Sequence, residues 1–256
     1  VIMVPVNLDI EFMANADKVS YNGLNITACK ADVSINNGIL GLKNTGFKII
    51  DAPVNMDATY KSLSADKASF NYHIHAKEFD INRAYNEIKI FHNLAASASK
   101  AHGIVSLDYQ LSGKLDENMQ PVYPSLKGGG VLSIKDVKIN GLKLMSAVSK
   151  ATEKDSIDNP ALKAVNIKTT IANNIITLEK TKLRIFGFRP RFEGQISFDG
   201  RLNLTGRLGL PPFGIFGIPF TVTGTQDNPN VQLRREKGSD KIEETEEAPD
   251  EDDVQQ

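Results

Sequence analysis

The chain reads as a mainly β protein built on one antiparallel sheet that is apolar on one side only. Three observations predict this. First, Val6, Leu8, Ile10 and Phe12 alternate with Asn7, Asp9 and Glu11. Successive side chains of a strand point to opposite faces, so this segment has one apolar face and one wet face. Second, the pattern returns at Phe70, Tyr72, Ile74 and Ala76, at Val105, Leu107, Tyr109 and Leu111, and at Leu202, Leu204, Leu208 and Leu210. Third, the segments are separated by Asn22-Gly23, Asn37-Gly38, Asn140-Gly141 and Asp199-Gly200. Such pairs tolerate the positive φ of tight hairpins and point to a meander of consecutive strands. A one-sided sheet must cover its apolar face with another sheet, a helix or an apolar ligand. Alternation alone leaves all three open.

The opening strand is read as Val6–Phe12. Cys29 lies in the next alternating stretch, with Ile26 and Ala28 before it and Ala31, Val33 and Ile35 after it. It reads as a buried or half-buried small residue rather than a nucleophile. Two segments break the period of two. Between Arg83 and Lys100, Ala84, Ile88, Phe91, Ala95 and Ala98 recur at three- and four-residue spacing. That predicts an amphipathic helix capped by Asp80 or Asn82. Leu142, Met145 and Val148 suggest a shorter one, ended before Asn159-Pro160. Each helix is placed to cover part of the apolar face. An internal echo links Val19–Ile26 with Val137–Leu144, which share Val, Asn, Gly and Leu and fit an architecture of repeated β-units. The uncharged stretch from Leu210 to Phe220 is too short and proline-rich to span a bilayer. It is either a loop over the open end of the sheet or an apolar lip that meets a membrane or a partner.

Composition divides the chain into a β domain over residues 1–235 and an acidic tail over 236–256. The tail lacks aromatics and buries too little apolar surface to fold, so it is expected to be disordered. Asp240 to Gln256 carries about nine acids against one base, which leaves the rest of the chain at roughly +7. That excess suits either solvated strand faces or an anionic phospholipid surface. No recognition helix or RNA-binding aromatic motif accompanies it, so nucleic acid is not an expected partner. One cysteine excludes an intramolecular disulfide framework. No apolar run reaches the length of a membrane span, and no signal peptide is present. Because Val1 sits in a strand-like run without an initiator Met, the chain is read as a fragment whose native start lies upstream.

The search for chemistry returns little. Ser64 to Lys67 and Ser97 to Lys100 fit Ser-x-x-Lys, but the companion elements of acylating enzymes are missing. His73 and His75 fall on one face of a strand, its wet side, and no third metal ligand stands near them in sequence. Lys127 followed by Gly128, Gly129 and Gly130 lacks the ending of a phosphate loop and precedes a strand, so a hairpin or bulge is expected there. No catalytic residue, metal or cofactor is therefore assigned.

Five segments in combination resemble the C-terminal part of the AsmA-like proteins of Gram-negative bacteria. Val4–Ile10 followed by Val19–Leu24 resembles that family's opening strand and the element after it. Gly103–Gly113 resembles its G.v..d..l.G strand, Ser125–Ile134 its slkG.g.l.i strand, and Gly217–Val231 its closing ip..vtGt..nP.v element. The resemblance covers roughly residues 1–235 and excludes the tail. It implies an elongated, curved antiparallel sheet forming an apolar groove, with the two short amphipathic helices beside it. The family is similar to bridge-like lipid carriers, anchored in the inner membrane by an N-terminal segment that this chain lacks, and crossing the periplasm. The implied function is non-enzymatic: a phospholipid or other acyl lipid lies in the groove and serves outer-membrane biogenesis. Membrane contact would come through segments outside this fragment. Val6, Leu8, Ile10, Phe12, Phe70, Tyr72, Ile74, Val105, Leu107, Tyr109 and Leu111 would be the lipid-facing set. Two alternatives remain: a scaffold that assists or regulates the assembly and membrane targeting of envelope proteins through its sheet edges, and a closed β-sandwich adhesin with a dry core.

Overall fold

Among the described residues, alternation at period two is realised as thirteen strands in a single antiparallel sheet whose spatial order follows the chain. The computed structural model describes residues 1–21, 23–88, 101–139, 146, 161–185, 188–211, 215–226 and 228–233. The strands are β1 (Asp9–Tyr21), β2 (Leu24–Asn36), β3 (Ile39–Ile49), β4 (Ala52–Ser64), β5 (Lys67–Asp80), β6 (Ala101–Leu115) and β7 (Lys127–Ile139). They continue as β8 (Ala161–Ala172), β9 (Ile175–Lys182), β10 (Arg189–Ser197), β11 (Leu202–Gly209), β12 (Gly217–Gly224) and β13 (Pro229–Leu233). The sheet is not closed, and β1 and β13 are its edges. Turns fall where the glycine pairs predict: Gly23 and Gly200 have φ near +85°, and Asn37 and Gly38 have φ of 48° and 75°. Asn140-Gly141 lies outside the described residues.

The first strand starts later than its alternation suggests. Val6 and Asn7 form a turn, and β1 begins at Asp9. Pro5 has no N–H for a ladder, and the segment before it bonds elsewhere. The Ile2 N–H donates to the Tyr60 hydroxyl at 3.1 Å, that hydroxyl donates to the Ile2 carbonyl at 2.9 Å, and the Val4 N–H donates to Ser62 Oγ at 3.0 Å.

One α-helix is described, α1 (Ile81–Glu87). Asp80 ends β5 and caps the helix by accepting the Arg83 N–H at 2.8 Å. Of the two predicted caps the structure uses Asp80, so the helix begins at Ile81, and it stops at Glu87, because Ile88 is already extended (φ −108°, ψ 103°). Its buried residues, Ile81 and Ala84, pack into a core with Val54, Ala76, Phe79, Val105 and Val137. Phe91, Ala95, Ala98, Leu142, Met145 and Val148, on which the rest of the predicted helices rested, lie outside the described residues. So does the tail. A second core gathers Phe188, Leu204, Leu208, Phe220 and Val222 under the last strands.

The strict alternation is interrupted by a set of bulges. Ala28, Asn44, Glu78 and Asp136 have φ between 48° and 52° inside strands, and Gly103 has φ 143°. Pairing registers slip beside Ala28, Asn44, Glu78 and Gly103. Each bulge resets which residues face inward: in β5 the inward series Phe70, Tyr72, Ile74, Ala76 resumes at Phe79, and in β3 Leu40 and Leu42 give way to Phe47 and Ile49. Two of the bulge N–H groups are satisfied by side chains of the neighbouring strand. Asn44 donates to Asp57 Oδ1 at 2.9 Å and Glu78 to Ser106 Oγ at 3.0 Å. Bulges on adjacent strands sharpen the right-handed twist. The sheet curls until Leu24 of β2 and Ile176 of β9 border one cavity.

Candidate apolar binding face

In an antiparallel ladder directly opposed residues share a face. Phe12, Val33, Leu42, Ala58, Tyr72, Leu111, Gly128, Ile171, Ile176, Ile196 and Leu202 are successive cross-strand neighbours from β1 to β11. Ile74, Tyr109, Gly130, Thr169, Leu178, Gly194, Leu204 and Val222 form the parallel row beside it. The registers place Ile10, Phe12, Phe70, Tyr72, Ile74, Val105, Leu107, Tyr109 and Leu111 on this one face. Leu8 precedes the strand. Val6 lies in the turn and is 74% exposed. Exposure falls from edge to interior: Phe12 on β1 is 49% exposed, Tyr72 is half-buried, and Ile171 is 8% exposed.

The face borders a cavity of about 410 Å³, within the span of about 300–1,000 Å³ usual for small-molecule sites. Its wall includes Tyr72, Ile74, Leu107, Tyr109 and Leu111 from the predicted set. Ile88, following α1, and Tyr123 and Leu126 of the β6–β7 connection also line it. The Tyr123 ring packs against Phe198 of the β10–β11 turn, centroids 5.1 Å apart and planes tilted by 30°. Val105 is buried in the α1 core instead, and Ile10, Phe12 and Phe70 lie on the face but outside the cavity wall.

Gly128, Gly129 and Gly130 are neither hairpin nor bulge. They sit inside β7, paired to β6 and β8 in unbroken register. The strands approach so closely that a Cβ on Gly130 would lie 2.1 Å from the Asp108 carbonyl oxygen and 2.6 Å from Tyr109 Cδ2. Gly128 and Gly130 therefore hollow the face between Leu111 and Ile171 and between Tyr109 and Thr169. The sequence predicts a hairpin or bulge here; the glycines instead supply missing side-chain volume inside a regular strand.

Three tyrosines, Tyr72, Tyr109 and Tyr123, enter the otherwise hydrocarbon wall. Tyr109 hydrogen-bonds Thr169 Oγ1. Tyr72 stacks on Phe70 with ring centroids 5.8 Å apart. Burial pushes the Tyr72 and Tyr109 phenols above the usual tyrosine range; the Thr169 bond opposes the shift at Tyr109. Both therefore stay un-ionised.

The opposite face is wet. His73 Nε2 lies 2.6 Å from Asp108 Oδ1, and His75 Nδ1 lies 3.7 Å from Oδ2. The His73 hydrogen bond holds the Asp108 carboxyl below its usual range. Asp108 comes from the neighbouring strand, so sequence spacing did not reveal it. Among the described residues no group of three or more His, Cys, Asp or Glu is placed to hold a metal. Ser64 Oγ donates to Asp66 Oδ1 within its hairpin, while Ser97 and Lys100 lie outside the described residues. Cys29 is half-buried opposite Ala16. The apolar stretch after Leu210 divides: Ile215 and Phe216 are exposed, whereas Ile218 to Phe220 continue into β12 and Phe220 is buried. No helix among the described residues is long and apolar enough to cross a membrane.

In comparisons with known proteins, no family model matches the chain, and no curated protein or solved structure matches it either.

Proposed function

We propose that this chain is a non-enzymatic lipid-binding and transfer module, in which the curled sheet forms a groove and acyl chains lie along its apolar face. The observation that carries the reading is the row from Phe12 to Leu202, apolar across eleven strands, which runs from an exposed edge into a cavity of about 410 Å³. A hydrocarbon chain gains from such a surface along its whole length and needs no polar partners. In this reading α1 flanks the groove. Placement in the periplasm behind an inner-membrane anchor, and a role in outer-membrane biogenesis, rest on the resemblance to AsmA-like proteins through the motifs quoted above.

Native mass spectrometry of the protein, purified from a bacterial host without detergent, tests the reading. Bound masses that disappear on organic extraction and are recovered as acyl lipid are expected. A protein that carries none, and takes up none from phospholipid vesicles, is not a lipid carrier.

A second reading has its own observation. β1 is an edge strand thirteen residues long whose Ile10, Phe12 and Val19 are 39%, 49% and 42% exposed. Such an edge is a template for another β-chain, as a scaffold for envelope-protein assembly requires. Cross-linking from a cysteine placed on β1, with the single Cys29 replaced, would capture a β-partner under this reading and none under the first.

A further inference from the structure

The wet face of the last strands carries a cluster of cations that the apolar face does not explain. Arg191 of β10 opposes Lys182 of β9 on one side and Arg207 of β11 on the other. The β9–β10 hairpin runs on in the same register: the Leu183 N–H donates to the Pro190 carbonyl at 2.8 Å, and Ile185 is bridged to Phe188. Arg184 therefore opposes Arg189. Leu183, Ile185 and Phe188 are buried on the apolar side, which sets the five cations on the other. Like charges directly opposed across strands repel, and an anionic surface laid against them offsets that repulsion. Along β9 and β10 the nearest acids, Glu179 and Glu193, stand further from the hairpin end. Beside the cluster is an apolar tip. In the β11–β12 connection Ile215 and Phe216 are 56% and 60% exposed. Arg207 holds this tip, because its Nη2 donates to the Ile215 carbonyl at 3.1 Å. The side chain reaches there across Gly217, where a Cβ would lie 2.7 Å from Arg207 Nε. Cations beside exposed aliphatic and aromatic side chains suit the interface of an anionic bilayer.

We infer that this end of the sheet is a docking surface for an anionic phospholipid bilayer. Ile215 and Phe216 enter the head-group region, and the cations around Arg191 lie against the phosphates. Chemistry selects this occupant. An acidic peptide matches the cations but leaves the apolar tip in water, whereas a bilayer meets both. The resemblance to AsmA-like proteins implies membrane contact only through segments outside this fragment, so this contact is additional to it. The surface goes beyond the lipid-carrier reading and does not depend on it, since the cavity lies on the other face of the sheet.

The chain contains no tryptophan, so Phe216→Trp places a single fluorescent reporter at the tip. The test mixes the full chain with vesicles of phosphatidylcholine and phosphatidylglycerol in equal parts, or of phosphatidylcholine alone. With the mixed vesicles the protein is expected to co-sediment and the emission to shift to the blue, both less so as salt rises. With phosphatidylcholine alone neither is expected. Lys182→Gln combined with Arg184→Gln, both at exposed positions, is expected to weaken binding about twentyfold with an unchanged circular dichroism spectrum. Binding without a blue shift overturns the tip as the contact. Equal binding to both vesicles, or binding indifferent to the double substitution, overturns the role of the cations. Binding to neither overturns the surface. Carbodiimide cross-links from Lys182 to residues 240–256 that mixed vesicles do not displace assign the cluster to the acidic tail instead. A chain that docks on mixed vesicles but carries no acyl lipid keeps this surface and loses the carrier reading. If Phe216→Trp loses its β spectrum, co-sedimentation of the native chain beside the double variant decides.

Discussion

Tyr109 on β6 reaches across Gly130 on β7 to hydrogen-bond Thr169 on β8, so two side chains two strands apart meet over a residue that has none. The contact depends on the glycine. A Cβ at position 130 would lie 2.6 Å from the Tyr109 ring and 2.1 Å from the Asp108 carbonyl oxygen, and the latter, as backbone, cannot swing away. Gly130→Ala is therefore expected to destabilise the protein by about 1–3 kcal/mol, as overpacking does. That corresponds to a fall of roughly 3–10 °C in Tm. Thermal unfolding followed by circular dichroism checks it; an unchanged Tm means the strands are not in close contact at Gly130.

The cap of α1 gives a second prediction. Asp80 ends β5 and accepts the Arg83 N–H, so one side chain turns the chain from sheet to helix. Asp80→Ala is expected to cost about 1 kcal/mol and Asp80→Asn much less, since Asn caps comparably. Urea unfolding midpoints of the two variants make the comparison. Equal midpoints for Ala and Asn would show that packing of Ile81 and Ala84 fixes the helix without its cap.

Acid should weaken the fold through identifiable carboxylates. The Asp199 carboxyl is lowered from 3.8 to about 2, first by the Ser197 hydroxyl and then by Arg201, whose Nε lies 2.9 Å from Oδ2. Asp108 is lowered by the His73 hydrogen bond. Both groups bind protons less readily when folded than when unfolded. Their stabilisation is complete above the ordinary carboxylate range and is lost as pH falls through the folded values. Both are exposed, so the effect is small. Titration of the Asp199 carboxyl by NMR is expected to give a midpoint near 2, and Asp199→Asn should flatten part of the stability loss between about pH 4 and pH 2. A midpoint at the ordinary value would remove Asp199 from this account.

The parts of the structure legible in the sequence are those that depend on period two and on turn chemistry. The antiparallel meander, the shared face of residues such as Tyr72 and Leu111, and the Asp80 cap all have local signatures. The bulges were not read, because a slip such as Ala76 to Phe79 looks like noise within an imperfect alternation. Yet their phase changes are present in the sequence, and together they curl the sheet. Asp108 beside His73, and the Tyr109–Thr169 contact, join residues 35 and 60 apart in sequence, and only the register brings them together. The Gly128–Gly130 run is visible in the sequence, but its glycines suit a hairpin or bulge as well as a strand that makes room for its neighbours. Val6 was misplaced because the influence of Pro5 was weighed less than the alternation beyond it.

The last prediction concerns whether the apolar face is open. Leu107 lines the cavity opposite Ala76 and Leu132, whereas Ile10 lies on the same face at the edge, 39% exposed and outside the cavity wall. An aspartate at either position sets a carboxylate on an apolar surface, which costs several kcal/mol where water cannot reach it and far less where it can. In an open groove Leu107→Asp keeps its β spectrum, because solvent enters the cavity when lipid does not, but loses binding of a fluorescent fatty-acyl probe. Ile10→Asp keeps both the spectrum and binding in the cavity. In a dry sandwich core Leu107→Asp has no water to turn to, and the spectrum collapses. The two readouts on the two variants therefore separate the readings: lost binding with an intact spectrum at Leu107 supports the groove, and collapse supports a closed core. Undiminished binding by Leu107→Asp would show that acyl chains do not lie against β6 at all.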